Sequence, residues 1–188
     1  MRRALFRGVK RLALLLTLGL LPLECATLER LTLDDMIAKS TAIVRGRVTG
    51  SWTAFTGPVI YTHYRIQVSE RFKGPSQGSV EVLVPGGVVN NLRQSFAGSP
   101  QFNQGDEFVF FLWTSKAGLT QVIGLTQGLF ALPQDGATDP VATRAASREV
   151  MLDPGTGHPV KDQALVMRLS ELRSRISSGL AASKGGAR

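Results

Sequence analysis

The sequence predicts a small, mainly β domain, and three observations carry that prediction. Segments in which apolar and polar residues alternate follow one another at short intervals. Each of these segments ends near a turn that contains glycine or proline. Helical spacing of apolar residues occurs in only two places, before the first strand segment and near the end of the chain. We therefore expect a five- to six-stranded OB-like barrel with a short N-terminal helix and a C-terminal amphipathic helix.

The predicted strands differ in how they are buried. Residues 42–49 and 59–72 alternate, so each segment has one apolar and one polar face, and Gly46 marks a bend or a close backbone approach. Residues 107–113 are apolar on both faces and are predicted to form the most buried strand. The other strand segments are 79–84, 119–125 and 128–132, with a short edge strand at 92–96.

The two predicted helices lie at opposite ends of the chain. In the first, residues 31–40, Thr32 caps the helix, and Asp34 and Asp35 occupy its positive first turn. Asp162 is predicted to cap the second helix. The apolar residues of its buried face are Leu165, Leu169, Leu172 and Ile176.

These elements divide the chain into four parts. Residues 1–25 are a predicted signal peptide and residues 26–133 the OB-like domain. Residues 134–178 are predicted to hold loops, a weak hairpin at 153–157 and the final helix, which packs on the barrel. Residues 179–188 are predicted to be a disordered tail.

The signal-peptide prediction rests on the first 25 residues. Five cations and no acid precede residue 12, and an apolar run of 12 residues follows. A membrane span needs about 20 apolar residues, so we expect export to the periplasm or the extracellular space, with no transmembrane span in the mature chain. A buried N-terminal helix is disfavoured, because the five cations would face the positive end of its dipole.

The cleavage site and the export route stay open. Residues 2–6 loosely resemble a twin-arginine signal with Leu and Phe exchanged, so general secretion is favoured. Lipoprotein anchoring through Cys25 is a minority alternative, because Pro22 and Glu24 stand where a lipidation signal has an aliphatic and a small residue.

Charge and cysteine content exclude several classes of protein. The chain has 22 Lys and Arg against 14 Asp and Glu, but the leader holds five of these cations and Glu24, which leaves 17 against 13 and a net charge of +4. We therefore expect no nucleic-acid partner, since much of the basicity lies in the leader. Cys25 is the only cysteine, so neither an intramolecular disulfide nor a thiolate metal cage forms.

Four strand-like motifs carry a resemblance to a known family: 43–48 (IVRGRV), 64–68 (YRIQV), 72–74 (FKG) and 105–111 (GDEFVFF). In this order they resemble a group of exported bacterial proteins. They are also similar to the netrin-like domain, the OB-type barrel of the tissue inhibitors of metalloproteinases. The resemblance covers about residues 31–132 and implies fold more than function. Those inhibitors bind zinc through a disulfide-bonded N-terminal cysteine, and because Cys25 has no cysteine partner, no functional residue is carried over.

The sequence contains no signature of an enzyme that we recognise. The zinc-protease, nucleophile-elbow and phosphate-loop motifs are missing, and His63 and His158 are the only histidines. We expect no catalytic residue, no metal site and no cofactor. Acidic residues that could touch calcium lack the spacing of a known loop and are predicted to be turn residues: Asp106, Glu107, Asp135 and Asp139.

One group of residues predicts a ligand-binding surface. If residues 42–49 and 59–72 pair through a loop at 50–58, their polar faces join into a basic patch with aromatic edges. Arginine suits phosphate, sulfate or carboxylate, and a Tyr or His ring suits a sugar or a base. The patch consists of Arg45, Arg47, Tyr61, His63 and Arg65. The alternative is an ordinary solvated sheet face.

Three functions follow in order of preference. The first is a non-enzymatic exported binding module for an unidentified protein or anionic surface polymer. The second is a protease-inhibitor-like module, by fold analogy alone. The third is a hydrolase with an unfamiliar site, which the two histidines and the missing motifs disfavour. Neither the ligand nor the oligomeric state follows from the sequence.

Overall fold

The computed structural model describes residues 27–185. The predicted signal peptide, Cys25 and the last three residues lie outside the described residues. In the described part, no helix is long and apolar enough to cross a membrane. Two helices are present, α1 (Leu33–Lys39) and α2 (Leu169–Gly185). The strands are β1 (Thr27–Glu29), β2 (Ala42–Thr56), β3 (Val59–Lys73), β4 (Ser79–Pro85), β5 (Gly87–Val89), β6 (Leu92–Gln94), β7 (Glu107–Thr114), β8 (Thr120–Val122), β9 (Leu129–Leu132), β10 (Val141–Arg144), β11 (Val150–Leu152), β12 (Pro159–Val160) and β13 (Leu165–Arg168).

The main sheet has the strand order β13-β10-β9-β7-β2-β3-β4, and β8 pairs with β7. The prediction of a mainly β protein is confirmed. The prediction of a closed OB-like barrel is not confirmed, because no ladder in the described residues joins β4 to β8 or to β13. Strands β10 and β13, which were predicted to be loop and helix, extend the sheet beyond β9 at the edge opposite β4. Two small sheets accompany it, β1-β11-β12 and the β5–β6 ribbon.

The core has two layers that meet at β7. Val109 and Phe111 face a cluster formed with α1 and α2, whereas Phe110 and Leu112 face a second cluster on the other side of the sheet. All four side chains are fully buried, so the prediction that this strand is the most buried holds on both faces.

Helix α1 lies within the segment that the sequence predicts to be helical, and its caps explain both ends. The Thr32 hydroxyl accepts from the Asp35 amide at 3.1 Å, and the Asp35 carboxylate accepts from the Thr32 amide at 3.0 Å, which is a capping box. At the other end, the Lys73 ammonium donates to the carbonyls of Ile37 and Ala38 at 2.8 and 3.0 Å. The helix is thereby fixed to the sheet.

The C-terminal part differs from the prediction. Asp162 caps no helix: its carboxylate pairs with Arg144, and Leu165 begins strand β13. Helix α2 starts at Leu169, where Asp139 accepts from the amide and the hydroxyl of Ser170, both at 2.8 Å.

Two further features complete this part of the chain. Helix α2 continues to Gly185, so residues 179–185 are helical rather than a disordered tail. Gly179 lies against Ile37, and a Cβ at that glycine would be 3.1 Å from the Ile37 side chain. The predicted hairpin at 153–157 is present between β11 and β12, where Asp153 accepts from the amides of Gly155 and Thr156.

Strands β2 and β3 form a hairpin that extends beyond β7, while β4 follows β3 as far as Tyr61. Each has 15 residues, but β7 pairs with β2 only from Ala42 to Arg47. The predicted loop at 50–58 is strand as far as Thr56, and the turn is only Gly57–Pro58, with Gly57 at φ 60°. We call residues 50–65 the arm.

The β5–β6 ribbon lies over one face of the arm. The Thr53 hydroxyl donates to the Val88 carbonyl at 2.7 Å, and the Gln94 side chain bonds the backbone of Ile60 and Pro58 at 2.7 and 3.0 Å. The ribbon therefore fixes the position of the arm and leaves its other face uncovered.

Candidate functional site

The register between β2 and β3 decides which side chains share the uncovered face of the arm. Arg47 lies opposite Gln67 and Val48 opposite Ile66, but Gly50 lies opposite Arg65, so Thr49 is an extra residue in β2. Directly opposed residues point to the same side of a sheet, and this bulge moves Trp52 onto the side of Arg47. The register therefore places the five predicted site residues on one face: Arg45, Arg47, Tyr61, His63 and Arg65.

Trp52 lies at the centre of this face. Its ring stacks on the ring of His63 with a centroid distance of 5.1 Å and an interplanar angle of 15°. The guanidinium carbon of Arg65 is 5.7 Å from the Trp52 ring centroid, which is within the range of a cation–π contact. Trp52 is nevertheless 41% exposed, so the stacked tryptophan is presented to solvent.

His63 is fixed by a second contact. Its Nδ1 lies 2.7 Å from Glu81 Oε1, across the β3–β4 ladder. Its Nε2 is buried and has no hydrogen-bond partner among the described residues. The ring is therefore held as a support for Trp52 rather than presented as an accessible base.

Arg45 and Arg47 are held away from Trp52 by one carboxylate. Glu107 on β7 accepts from Arg45 Nε and from Arg47 Nη2, both at 2.6 Å, and its side chain is only 10% exposed. Arg47 also donates to the Gly105 carbonyl and to the Gln134 side chain, both at 3.2 Å. Because Glu107 neutralises part of their charge, the predicted patch divides into a paired arginine group and a group around Trp52.

We define the Trp52 surface as Trp52, Tyr61, His63 and Arg65. Tyr61 is half-buried opposite Ala54, near the end of the arm. Arg65 lies opposite Glu81 on β4, but Glu81 contacts His63, and no ion pair of Arg65 with a carboxylate is present in the described part of the chain. Three of these residues were predicted from the sequence, and Trp52 was not, because residues 50–58 were assigned to a loop.

Exposed apolar side chains are concentrated on the arm and its ribbon. Trp52 lies on the uncovered face, and Phe55, opposite Ile60, points to the other side. Large apolar side chains that are at least 41% exposed in this region are Trp52, Phe55, Val88, Leu92 and Phe96. These side chains are divided between the two faces of the arm, and Trp52 is the one on the uncovered face.

Among the acidic residues predicted to lie in turns, Asp139 instead caps α2 and Glu107 lies in β7. Asp106 accepts from the Asn103 amide at 2.8 Å, and Asp135 accepts from the Ala137 amide at 3.0 Å. His158 lies in the β11–β12 turn. Within residues 27–185, no group of three or more His, Cys, Asp or Glu side chains is arranged to hold a metal ion.

Two clefts lie away from the Trp52 surface. An open cleft of about 550 Å³ lies between loops 98–102 and 145–149, with Phe102, Phe108 and Leu129 among its apolar walls. Below another cleft, of about 340 Å³, Arg144 and Asp162 form an ion pair whose side chains are 4% and 3% exposed. Burial alone would raise the pKa of Asp162, but the hydrogen bonds from Arg144 and from the Ser147 amide outweigh it and hold the pKa below 3.8. This pair fixes the β10–β13 region.

No family model, curated protein or solved structure matches this chain. The resemblance to the netrin-like domain therefore gains no support from these comparisons and stays a prediction.

Proposed function

We propose that the protein is an exported, non-enzymatic binding module whose Trp52 surface docks a protein partner. The observation that carries the proposal is the exposed Trp52, whose ring stacks on His63 and lies within cation–π range of the Arg65 guanidinium group. Tryptophan and arginine are the residue types most enriched among side chains that dominate protein–protein binding energy. A tryptophan that is already ordered by stacking loses little conformational entropy when a partner covers it.

The charges on this face favour a protein over an anionic polymer. A polyanion binds through many cations at once, and each neutralised charge adds to its affinity. Glu107 holds Arg45 and Arg47, which leaves Arg65 as the cation beside the exposed aromatic ring. The partner that fits is a protein segment with an apolar side chain for Trp52 and a carboxylate for Arg65.

The other two hypotheses have less support. The protease-inhibitor hypothesis depends on fold analogy alone, and the open sheet adds nothing to it. The hydrolase hypothesis has no observation in its favour, because the His63 Nε2 is buried and His158 lies in the β11–β12 turn.

Site-specific photo-crosslinking in the producing cells tests the proposal. A photoreactive benzophenone amino acid replaces Ala54, which lies two residues after Trp52 on the same face of β2 and opposite Tyr61. The matched control carries the same group at Val166, which is 64% exposed on strand β13 at the far edge of the sheet. We expect a discrete protein adduct from position 54 and not from position 166.

Two variants check that the adduct depends on the Trp52 surface. Trp52→Ala and Arg65→Glu should each remove the adduct from position 54 while the purified proteins keep the wild-type circular dichroism spectrum. An adduct that forms equally in both variants would contradict the proposal. Salt-sensitive retention of the unmodified protein on a polyanion column, with no protein adduct, would favour the polymer hypothesis instead.

A further inference from the structure

The outer edge of the arm has no neighbouring strand in the described part of the chain. The ladder between β2 and β7 ends where Arg47 lies opposite Glu107. Val48 is bonded instead to the loop before β7. Its amide donates to the Asp106 carbonyl at 2.9 Å, and its carbonyl accepts from the Gly105 amide at 2.8 Å. From residue 49 to residue 56, β2 pairs only with β3.

The orientation of the backbone groups along this edge follows from Ile60. Its amide donates to Gln94 Oε1 at 2.7 Å and its carbonyl accepts from the Gly86 amide at 2.8 Å, so both groups point away from β2. Phe55 lies opposite Ile60, and in such a non-hydrogen-bonded antiparallel pair the amide and carbonyl groups of both residues point away from the partner strand. The direction of these groups alternates from one residue to the next along a strand. The amide and carbonyl groups of Ser51, Thr53 and Phe55 therefore point to the open edge.

This edge lacks the protection that exposed strands normally have. Natural edge strands carry charged residues, prolines or bulges that prevent pairing with another chain. Residues 48–62 contain no charged residue, Pro58 lies in the turn, and the Thr49 bulge lies at the base of the arm. The open edge is therefore competent to pair with a further strand.

We infer that an extended polypeptide segment of the protein partner adds to the arm as a strand along Ser51, Thr53 and Phe55. This inference rests on the proposed function. Outward amide and carbonyl groups that recur at every second residue are complementary to a peptide backbone, which identifies the occupant as a polypeptide rather than a sugar or a phosphate.

The side chains of the added strand meet different surfaces on its two sides. Alternate residues lie beside Trp52 on one side and beside Phe55 on the other. Gly50 lies opposite Arg65, and nothing lies within 4 Å of where a Cβ at Gly50 would be. An acidic residue of the added strand can therefore approach Arg65 over Gly50.

The test uses linear heptapeptides selected from a random display library on the purified protein, with affinity measured by fluorescence anisotropy. Ser51→Pro removes an outward amide without removing a bond to β3, and Ser51→Ala is its matched control. Because each lost backbone bond weakens binding several-fold, we expect Ser51→Pro to raise the peptide Kd by at least about fivefold and Ser51→Ala to leave it unchanged. Thr53→Pro against Thr53→Val repeats the comparison, since both variants lose the hydroxyl bond to Val88.

N-methylation of the peptide gives a second readout that does not depend on folding of the variants. An added strand forms hydrogen bonds to β2 through every second backbone amide of the peptide. Methylation of those amides should therefore abolish binding, and methylation of the amides between them should not.

If Trp52→Ala weakens binding but proline and N-methyl groups do not, strand addition is wrong and the proposed function stands. If no heptapeptide binds, or if the protein forms dimers that Ser51→Pro dissociates, a peptide segment is not the occupant. If position 54 gives no adduct as well, the proposed function itself fails.

Discussion

Glu107 determines whether the arm face behaves as a basic surface. It lies at the start of β7 and accepts from both Arg45 and Arg47 at 2.6 Å. Glu107→Gln keeps the size of the side chain and removes its charge, so two guanidinium groups lose their carboxylate partner. The three arginines then share the face with Glu81, which contacts His63, and Glu70, which lies opposite Arg45 and is paired with Arg173.

Two magnitudes follow from this geometry. The Arg47 side chain is exposed, and such a pair contributes about 0–1 kcal/mol, whereas the less exposed Arg45 makes a hydrogen bond to a charged group worth about 1.5–3 kcal/mol. Because glutamine retains one acceptor, we expect the free energy of unfolding to fall by about 1–3 kcal/mol. On a polyanion, each arginine released should steepen the dependence of log K on log salt by about 0.7–0.9.

The assay is elution from heparin resin, with unfolding in urea measured in parallel. We expect the wild type to elute at low salt and Glu107→Gln to elute later. Adding Arg45→Ala and Arg47→Ala to Glu107→Gln should abolish the gain, because these are the two arginines that Glu107 holds. Glu81→Gln is the charge-matched control, since it removes a carboxylate that contacts His63 and lies opposite Arg65 but forms no arginine ion pair in the described residues. Tight retention of the wild type, unchanged by Glu107→Gln, would refute the conclusion that Glu107 neutralises these arginines.

Three further predictions concern stability. Arg144→Met leaves Asp162 buried without its partner and should lower the free energy of unfolding in urea by about 3–5 kcal/mol, most of which Arg144→Met/Asp162→Leu should restore. Gly46→Ala places a Cβ 2.6 Å from Ile66 Cγ2 and 2.7 Å from the Gln67 carbonyl oxygen, and should cost about 1–3 kcal/mol in the same measurement. The melting temperature should be level from pH 7 to pH 5 and fall as the pH drops below about 4, because lowered pKa values stabilise the fold only while the carboxyl groups are ionised. In three carboxyl groups, hydrogen bonds from one neighbouring residue hold the pKa below 3.8: Asp35 with Thr32, Asp139 with Ser170, and Asp153 with Thr156. A flat pH profile would contradict this.

Local patterns in the sequence were enough to predict most of the β2–β3–β4–β7 region. Alternation assigned the two faces of residues 42–48 and 59–68, and the double-sided apolar run identified β7. Gly46 was predicted to mark a close backbone approach, and it lies against Ile66 and Gln67. These properties depend on neighbours in sequence or on one strand partner, so they are visible in the chain itself.

Features that depend on distant residues could not be predicted in this way. Glu107 is 60 residues from Arg47, so nothing near the arginines indicates that they are paired. Asp162 has the properties of a helix cap, but its contact with Arg144 places it in the packing of β10 against β13. The apolar spacing from Leu165 onward fits a helix, but it fits equally a strand of four residues followed by a helix, which is what the structure contains.

Trp52 was missed because residues 50–58 were assigned to a loop, and the Thr49 bulge would have misplaced it even if the predicted strand had been continued. The alternation of β2 predicts that Trp52 shares a face with Val48, but one extra residue exchanges the faces beyond it. The Thr49 hydroxyl donates to the Arg65 carbonyl at 3.1 Å, which anchors the bulge at the base of the arm. A bulge bends its strand, and pairing with β7 ends two residues before it. The same extra residue therefore accounts for the position of Trp52 and coincides with the start of the open edge.

Deletion of Thr49 separates these two effects. The pairs on either side, Val48 with Ile66 and Gly50 with Arg65, would then follow one another in a regular ladder. Because no pair changes, we expect Trp52 to remain stacked on His63, which contacts between their ring protons in NMR spectra would show. The bend would be lost, so the arm would take a different direction relative to β7, and cross-linking from position 54 should fall. Loss of the ring contact on deletion would show that the bulge, rather than the cross-strand pairs and the Gly57–Pro58 turn, sets the register of the arm.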